Sequence, residues 1–296
     1  MNIREYLNIR KKIIDNALEK FLPKEKEYLG IIHKSMRYSI FAGGKRIRPI
    51  LVVLSAEILG KNYKLVLPTA CALELIHTYS LIHDDLPCMD NDDFRRGRLT
   101  NHKVFGEGLA TLSGDALLTY AFELISRNVK VKGVKPENVL KIINIVSKAC
   151  GTSGLIGGQV VDILSEGKKV SKSELKYIHT HKTGALICAS LQAGAILSDA
   201  KDKEYDALTT YGENLGLLFQ IVDDMLNVVG DAKKLGKSVG SDAKRKKITY
   251  PSLFGIEKSK EEIEKLRKKA KNSVKIFKNK AGLLNELVDF VIQRGY

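Results

Sequence analysis

The stretch His77-Thr78-Tyr79-Ser80-Leu81-Ile82-His83-Asp84-Asp85-Leu86-Pro87-Cys88-Met89-Asp90 closes an apolar run that begins near residue 65. Apolar side chains recur along this run at three- and four-residue spacing, which predicts a helix over 65–86. At 100° per residue, His77, Ser80, Leu81 and Asp84 share one face, while Asp85 points about 100° away, toward a rim or supporting place. A carboxylate on an apolar helix costs free energy unless a cation compensates it. An acid near a helix C-terminus also opposes the macrodipole, so an ordinary acidic helix end explains Asp84 poorly. Pro87 removes a backbone donor and interrupts the helix, so the chain beyond it can fold Asp90 back toward Asp84.

The pattern recurs about 140 residues later, in Asp223-Asp224-Met225-Leu226-Asn227. Gly216, Gln220, Asp223 and Asn227 stack on one helical face. The flanks Leu217-Leu218-Phe219 and Ile221-Val222 are apolar, which does not suit a solvent-facing polar stripe. Two such clusters are expected to face each other across a cavity and hold a divalent metal. An all-carboxylate donor set selects a hard cation, Mg2+ rather than zinc, and Mg2+ in such sites usually grips a phosphate.

Outward from these two runs, helical periodicity continues through 3–21, 25–41, 48–59, 105–129, 136–150, 173–197, 203–229 and 260–293. Prolines fall mostly between these segments or near their ends, and extended apolar–polar alternation is scarce. The expectation is an all-α, single-domain bundle over 1–296, with roughly ten or more helices around a deep central cavity. With 296 residues and 44% apolar content the chain can bury a large core. No uncharged apolar run of about 18 residues predicts a membrane span, and the polar start Met1-Asn2-Ile3-Arg4-Glu5 lacks a signal-peptide core. Cys71, Cys88, Cys150 and Cys188 are widely spaced without a Cys-x-x-Cys pair, as for reduced thiols in a cytoplasmic protein.

The net charge is +15. No helix-turn-helix, ribonucleoprotein or zinc-finger signature accompanies it, so no nucleic-acid partner is expected. Part of the excess is a solvated face, because Lys and Glu alternate at helical spacing from Lys258 to Lys280. The rest clusters near the aspartates, as a polyanionic substrate requires. Gly43-Gly44-Lys45-Arg46-Ile47-Arg48-Pro49 is a glycine turn entering a helix, where Lys45 and Arg48 can clamp a diphosphate. Arg95-Arg96 follows the first cluster, Lys182-Thr183-Gly184 opens a helical stretch, and Lys237 and Lys247 follow the second cluster. Gln159 and Asp162, after Gly157-Gly158, are candidates to support the site from behind. His33, His83, His102, His179 and His181 form no zinc-ligand arrangement, and Ser113-Gly114-Asp115 reads as packing.

Taken together, and from Gly43 to Pro251, these residues resemble the trans-isoprenyl diphosphate synthases of the polyprenyl synthetase family, most closely their bacterial farnesyl-producing members. The stretch His77 to Gly97 is similar to the family's first aspartate-rich motif with its two-residue insertion. The resemblance implies a prenyltransferase that joins isopentenyl diphosphate to dimethylallyl or geranyl diphosphate, giving (2E,6E)-farnesyl diphosphate and pyrophosphate. It implies three Mg2+ ions per site, replaceable by Mn2+, a homodimer, and no stable membrane anchor. Asp84 and Asp90 would ligate metal on one wall and Asp223 on the other. Lys45, Arg48, His77 and Arg96 would hold isopentenyl diphosphate. Arg95, Lys182, Thr183, Gln220, Lys237 and Lys247 would hold the allylic diphosphate. Catalysis would rest on Asp84, Asp85, Lys182, Gln220, Asp223 and Asp224. Tyr79 and Ser80, about one turn before Asp84, would form the floor that limits product length, the bulky Tyr79 favouring C15. Asn227 stands where the family usually has Asp, which weakens a third carboxylate role there.

Three alternatives are weaker. A C20 synthase differs only at the cavity floor. A terpene cyclase would want an Asn/Asp, Ser/Thr, Glu metal motif that the second cluster lacks, and it would leave Lys45 and Arg48 without a role. A non-catalytic regulatory subunit would tend to lose aspartates, whereas Asp84, Asp85, Asp90, Asp223 and Asp224 are all present.

Overall fold

A computed structural model describes residues 1–26, 28–229 and 248–293. Helix α1 (Ile3–Phe21) starts at a capping box. Asn2 Oδ1 accepts from the Glu5 backbone N–H at 3.0 Å, and the Glu5 carboxylate accepts from the Asn2 N–H at 3.2 Å. Two otherwise orphaned donors are thereby satisfied. Helices α2 (Gly30–Ile40), α3 (Ile47–Ile58) and α4 (Leu67–Asp84) follow, and a β-hairpin then pairs β1 (Phe94–Arg95) with β2 (Arg98–Leu99). The chain continues through α5 (Asn101–Phe105), α6 (Glu107–Ser126), α7 (Pro136–Cys150), α8 (Leu155–Ser165) and α9 (Lys172–Ile178). A π-helical turn, His179–Gly184, leads into α10 (Ala185–Leu197) and then α11 (Asp202–Val229). The described chain ends with α12 (Tyr250–Phe254), α13 (Ile256–Ser273), a 3-10 segment (Val274–Ala281) and α14 (Gly282–Gln293).

The expected all-α architecture is present, its helices arranged around a central space. Helix α4 is buried on nearly every side, from Pro68 to Ile82, which explains why its sequence carries little polar face. It packs chiefly against α6 and α3, while α10 packs against α3 and α11, and α11 against α13. The two aspartate-bearing helices thus stand as walls of the core rather than as surface elements.

Several boundaries differ from the expected ones. The 25–41 helix begins only at Gly30. The single 173–197 helix is divided by the π turn, and 260–293 is broken where Lys278 adopts φ 51°, ψ −129°. Helix α8 lies between the expected helices 136–150 and 173–197, in a stretch to which no helix was assigned. The stretch Pro136–Ser165 has the composition of a membrane span, but a turn at 151–154 divides it into α7 and α8.

Candidate active site

Helix α4 ends where Pro87 requires it to. The Leu86 N–H bonds the His83 carbonyl at 3.1 Å, and the chain then reverses so that the Asp90 N–H donates to the Asp84 carbonyl at 2.8 Å. Asp84 and Asp90 are therefore adjacent through the backbone, as the proline predicts.

The hairpin that follows turns on Arg96 and Gly97, both at positive φ (54° and 74°). This two-residue turn fits the right-handed twist of its strands and sends consecutive arginines to different partners. Arg95 grips the buried Asp85 carboxylate: Nε lies 2.7 and 2.8 Å from the two oxygens and Nη2 2.5 Å from Oδ1. Burial penalises the Arg95 cation, but Asp85 more than offsets this, so the guanidinium is held above its ordinary pKa. Arg96 instead donates from Nη1 to the Gly43 carbonyl. Its guanidinium lies against Gly44, where a Cβ would come within 2.6 Å of Nη1. Gly44 is thus required both for its φ of 125° and for the space that Arg96 fills.

Arg46, between the two expected clamps, has a structural task. It sits at φ 53° before α3, buried, with Nε 2.8 Å from Asp15, Nη1 2.7 Å from Glu74 and Nη2 2.6 Å from the Ile40 carbonyl. Arg48 is different: its Nε is buried with no hydrogen-bond partner. Burial brings Arg48 down to about 10, against the pull of Glu74 and Asp223 and with a push from Arg96. His77 is held well below its ordinary pKa by burial, and then by Arg48, Arg96, Arg95 and Arg46. These couplings tie α3, α4, the hairpin and α11 to one space. The neutral His77 can still donate or accept one hydrogen bond there. Lys45 is exposed on the glycine turn beside this group.

A second group of side chains comes from α8, the π turn and α11. Lys182 Nζ donates to Asp162 at 2.6 Å, which ties the π turn to α8. Gly158 of α8 lies against the Lys182 backbone, with room for no side chain. Gly184 and Gly216 touch in the same way, a Cβ on Gly216 falling 2.6 Å from the Gly184 Cα. That contact brings Thr183 to Gln220, and Thr183 Oγ1 donates to Gln220 Oε1 at 2.8 Å. Gln220 Nε2 donates to Asp224 Oδ1 at 2.9 Å, and Asp224 Oδ2 accepts from the Tyr250 backbone N–H at 2.8 Å. Asp224 is buried within this network, whereas Asp223 is partly exposed one position earlier. The second aspartates of the two pairs, Asp85 and Asp224, therefore each orient a neighbouring side chain. Lys237 and Lys247 lie outside the described residues.

Among the described residues, no three His, Cys, Asp or Glu side chains form a group able to hold a metal ion unaided. Asp84, Asp90 and Asp223 offer hard oxygens only, a donor set that fits Mg2+ completed by diphosphate and water oxygens. An open groove of about 1360 Å3 runs along the outer sides of α10, α11 and α13, past Thr180, His181 and Leu217. None of the candidate metal, catalytic or diphosphate-binding side chains lines it, and the chemistry is not placed there.

Sequence reasoning missed one residue of this site. His179 is buried, with Nε2 3.2 Å from Asp224 Oδ2. Read only as a failed zinc ligand, it gave no signal except its place three residues before Lys182.

A family profile described as polyprenyl synthetase matches residues 30–286. The chain is 49% identical over 294 residues to a geranylgeranyl diphosphate synthase of Cyanophora paradoxa, covering 99% of this chain and 97% of that one. It is 44% identical over 294 residues to a farnesyl diphosphate synthase of Bacillus subtilis, covering 99% of each. The fold is similar to the apo crystal structure of an FPP/GFPP synthase from Zymomonas mobilis, with a TM-score of 0.86 and 34% identity over 98% of both chains.

Proposed function

Because the chain belongs to the polyprenyl synthetase family, we propose that it joins isopentenyl diphosphate to dimethylallyl and then geranyl diphosphate, and stops at farnesyl diphosphate. The observation that carries the reading is Arg48. Its buried Nε lacks a partner, and it stands with the Arg96 cation and the neutral His77, a set of donors that a diphosphate would complete. Lys45, Arg48, His77 and Arg96 hold isopentenyl diphosphate. Arg95, Lys182, Thr183 and Gln220 hold the allylic diphosphate, with Lys237 and Lys247 added from the sequence. Separate sites for two anions are what a condensation needs and a cyclase does not.

Asp84 and Asp90 on one wall and Asp223 on the other would hold Mg2+, or Mn2+ in its place. When bound, the metal offsets the charge that grows on the departing diphosphate. Lys182 and Arg95 stabilise that same charge as the allylic C–O bond breaks and its electron pair leaves with pyrophosphate. The double bond of isopentenyl diphosphate, oriented by Arg48 and Arg96, attacks the allylic carbon. A proton then passes to the released pyrophosphate, so no dedicated protein base is demanded. The apolar walls of α4 and α11 exclude water that would otherwise capture the cation.

Tyr79 supports the C15 product. It is buried about one turn before Asp84, its ring edge-on to His83 with centroids 5.7 Å apart. Burial above all, and then Cys150 and Asp84, raise its pKa, so the phenol stays neutral. Ser80 beside it is small and buried. The Cyanophora relative favours the second reading, a C20 product. Comparing Tyr79→Ala with the wild type separates them: C15 from the wild type and longer chains from the variant support the floor, and C20 from the wild type removes it. Exposed Leu112 on α6 and Leu140 on α7 support a homodimer.

A further inference from the structure

We infer that His179 is a positioning residue for this reaction: it holds Asp224, and through Asp224 it fixes the rotation of the Gln220 amide beside Thr183. The inference rests on the elongation reading of the site. His179 opens the π turn that carries Lys182 and Thr183, so it belongs to the same local structure as both. Its ring and the Asp224 carboxylate are both buried. Nε2 faces Oδ2 at 3.2 Å, and the inference assigns the ring hydrogen to that nitrogen, since a carboxylate oxygen is an acceptor.

Asp224 accepts two hydrogen bonds, from the Tyr250 N–H on Oδ2 and from Gln220 Nε2 on Oδ1, and His179 Nε2 adds a third polar contact 3.2 Å from Oδ2. A carboxylate held in this way has its plane fixed. The Gln220 amide is fixed in turn, because reversing it would set Oε1 against Asp224 and lose the acceptor that Thr183 Oγ1 uses at 2.8 Å. The chain His179–Asp224–Gln220–Thr183 thus sets the orientation of two side chains that face the allylic substrate. Packing alone does not account for a histidine here. Nδ1 is buried without a partner, a cost that an apolar side chain of similar size would avoid. The ring also stacks on Tyr250, with centroids 6.2 Å apart, a contact that needs no ring nitrogen. The polar contact that offsets the orphaned Nδ1 is the one between Nε2 and Asp224.

The test compares His179→Leu, which keeps bulk and removes the donor, with His179→Gln, whose Nε2 can return one. In protein labelled with 15N-glutamine, the Gln220 side-chain amide is assigned by its loss in Gln220→Glu. Its hydrogen exchange is then followed without substrate. We expect exchange on the order of tenfold faster in His179→Leu, the size of one hydrogen bond to a charged group, and restored in His179→Gln. In steady state, kcat falls about 10- to 100-fold in His179→Leu while the KM for isopentenyl diphosphate stays within about twofold, a split that general loosening would not produce. Unchanged Gln220 exchange in a folded His179→Leu overturns the inference. Should that variant not fold, 15N-histidine spectra of the wild type decide: a hydrogen on Nε2 supports the assignment, and one on Nδ1 alone overturns it. Failure of the wild type to elongate would refute the function while leaving the exchange result to stand or fall separately.

Discussion

Gly44→Ala probes the isopentenyl diphosphate side with little change in chemistry. The added Cβ would lie 2.6, 2.8 and 2.9 Å from Nη1, Cζ and Nη2 of Arg96. Ordinary contact begins near 3.4 Å, so the guanidinium must retreat by about 0.8 Å and loosen its bond to the Gly43 carbonyl. Misplacing a binding group by about 1 Å can cost on the order of 100-fold. We therefore expect the KM for isopentenyl diphosphate to rise about 10- to 100-fold, with the KM for geranyl diphosphate nearly unchanged. The φ of 125° adds roughly 1–3 kcal/mol of strain, visible as a lower urea midpoint. The assay is steady-state release of pyrophosphate with each substrate varied in turn, in Gly44→Ala, Arg96→Ala and the double variant. If the effect runs through Arg96, the double variant is no worse than Arg96→Ala alone. Equal losses for both substrates, or simple additivity in the double variant, would refute the reasoning.

Three further outcomes follow from the same geometry. Arg46→Met leaves Glu74 buried without its charged partner and should destabilise the protein by about 3–5 kcal/mol in urea unfolding, far more than Lys45→Met on the exposed turn. His77 has a depressed pKa in the fold and one near 6.5 when unfolded, so the unfolded chain binds the extra proton; stability contributed by neutral His77 is complete above about pH 6.5 and lost as pH falls below it. His77→Gln should flatten the stability slope between about pH 6.5 and 5, and an unaltered slope would contradict the assignment. Asn227→Asp adds a hard anionic oxygen on the Asp223 face and should lower the Mg2+ concentration for half-maximal activity severalfold, read from metal titrations of the elongation rate.

What the sequence made legible was what a short local rule governs. Pro87 dictates the break after α4, and so the fold-back of Asp90 could be expected before any contact was known. Helical spacing put His77 with Asp84, and Gln220 with Asp223, on shared faces. The hairpin was not legible, because two-residue strands have no periodicity to read and its turn rests on Arg96 at positive φ rather than on a glycine pair. The π turn was hidden for a related reason: a single five-residue hydrogen-bond step does not disturb a 3.6-residue pattern enough to be seen. Lys278 breaks the C-terminal helix without the glycine that would advertise it. Within Lys45-Arg46-Ile47-Arg48, charge alone could not tell the buried strut Arg46 from Arg48, whose Nε has no hydrogen-bond partner, since the difference is set by Asp15 and Glu74 arriving from α1 and α4. His179 is the same case, its partner Asp224 being 45 positions away on another helix.

The central claim is that the two walls together bind two diphosphates and join them. The direct measurement supplies purified protein with isopentenyl diphosphate and either dimethylallyl or geranyl diphosphate, with and without Mg2+, and separates the dephosphorylated products by chain length. A Mg2+-dependent C15 alcohol from both starters is the predicted result. No elongation by folded protein at any Mg2+ concentration would contradict it.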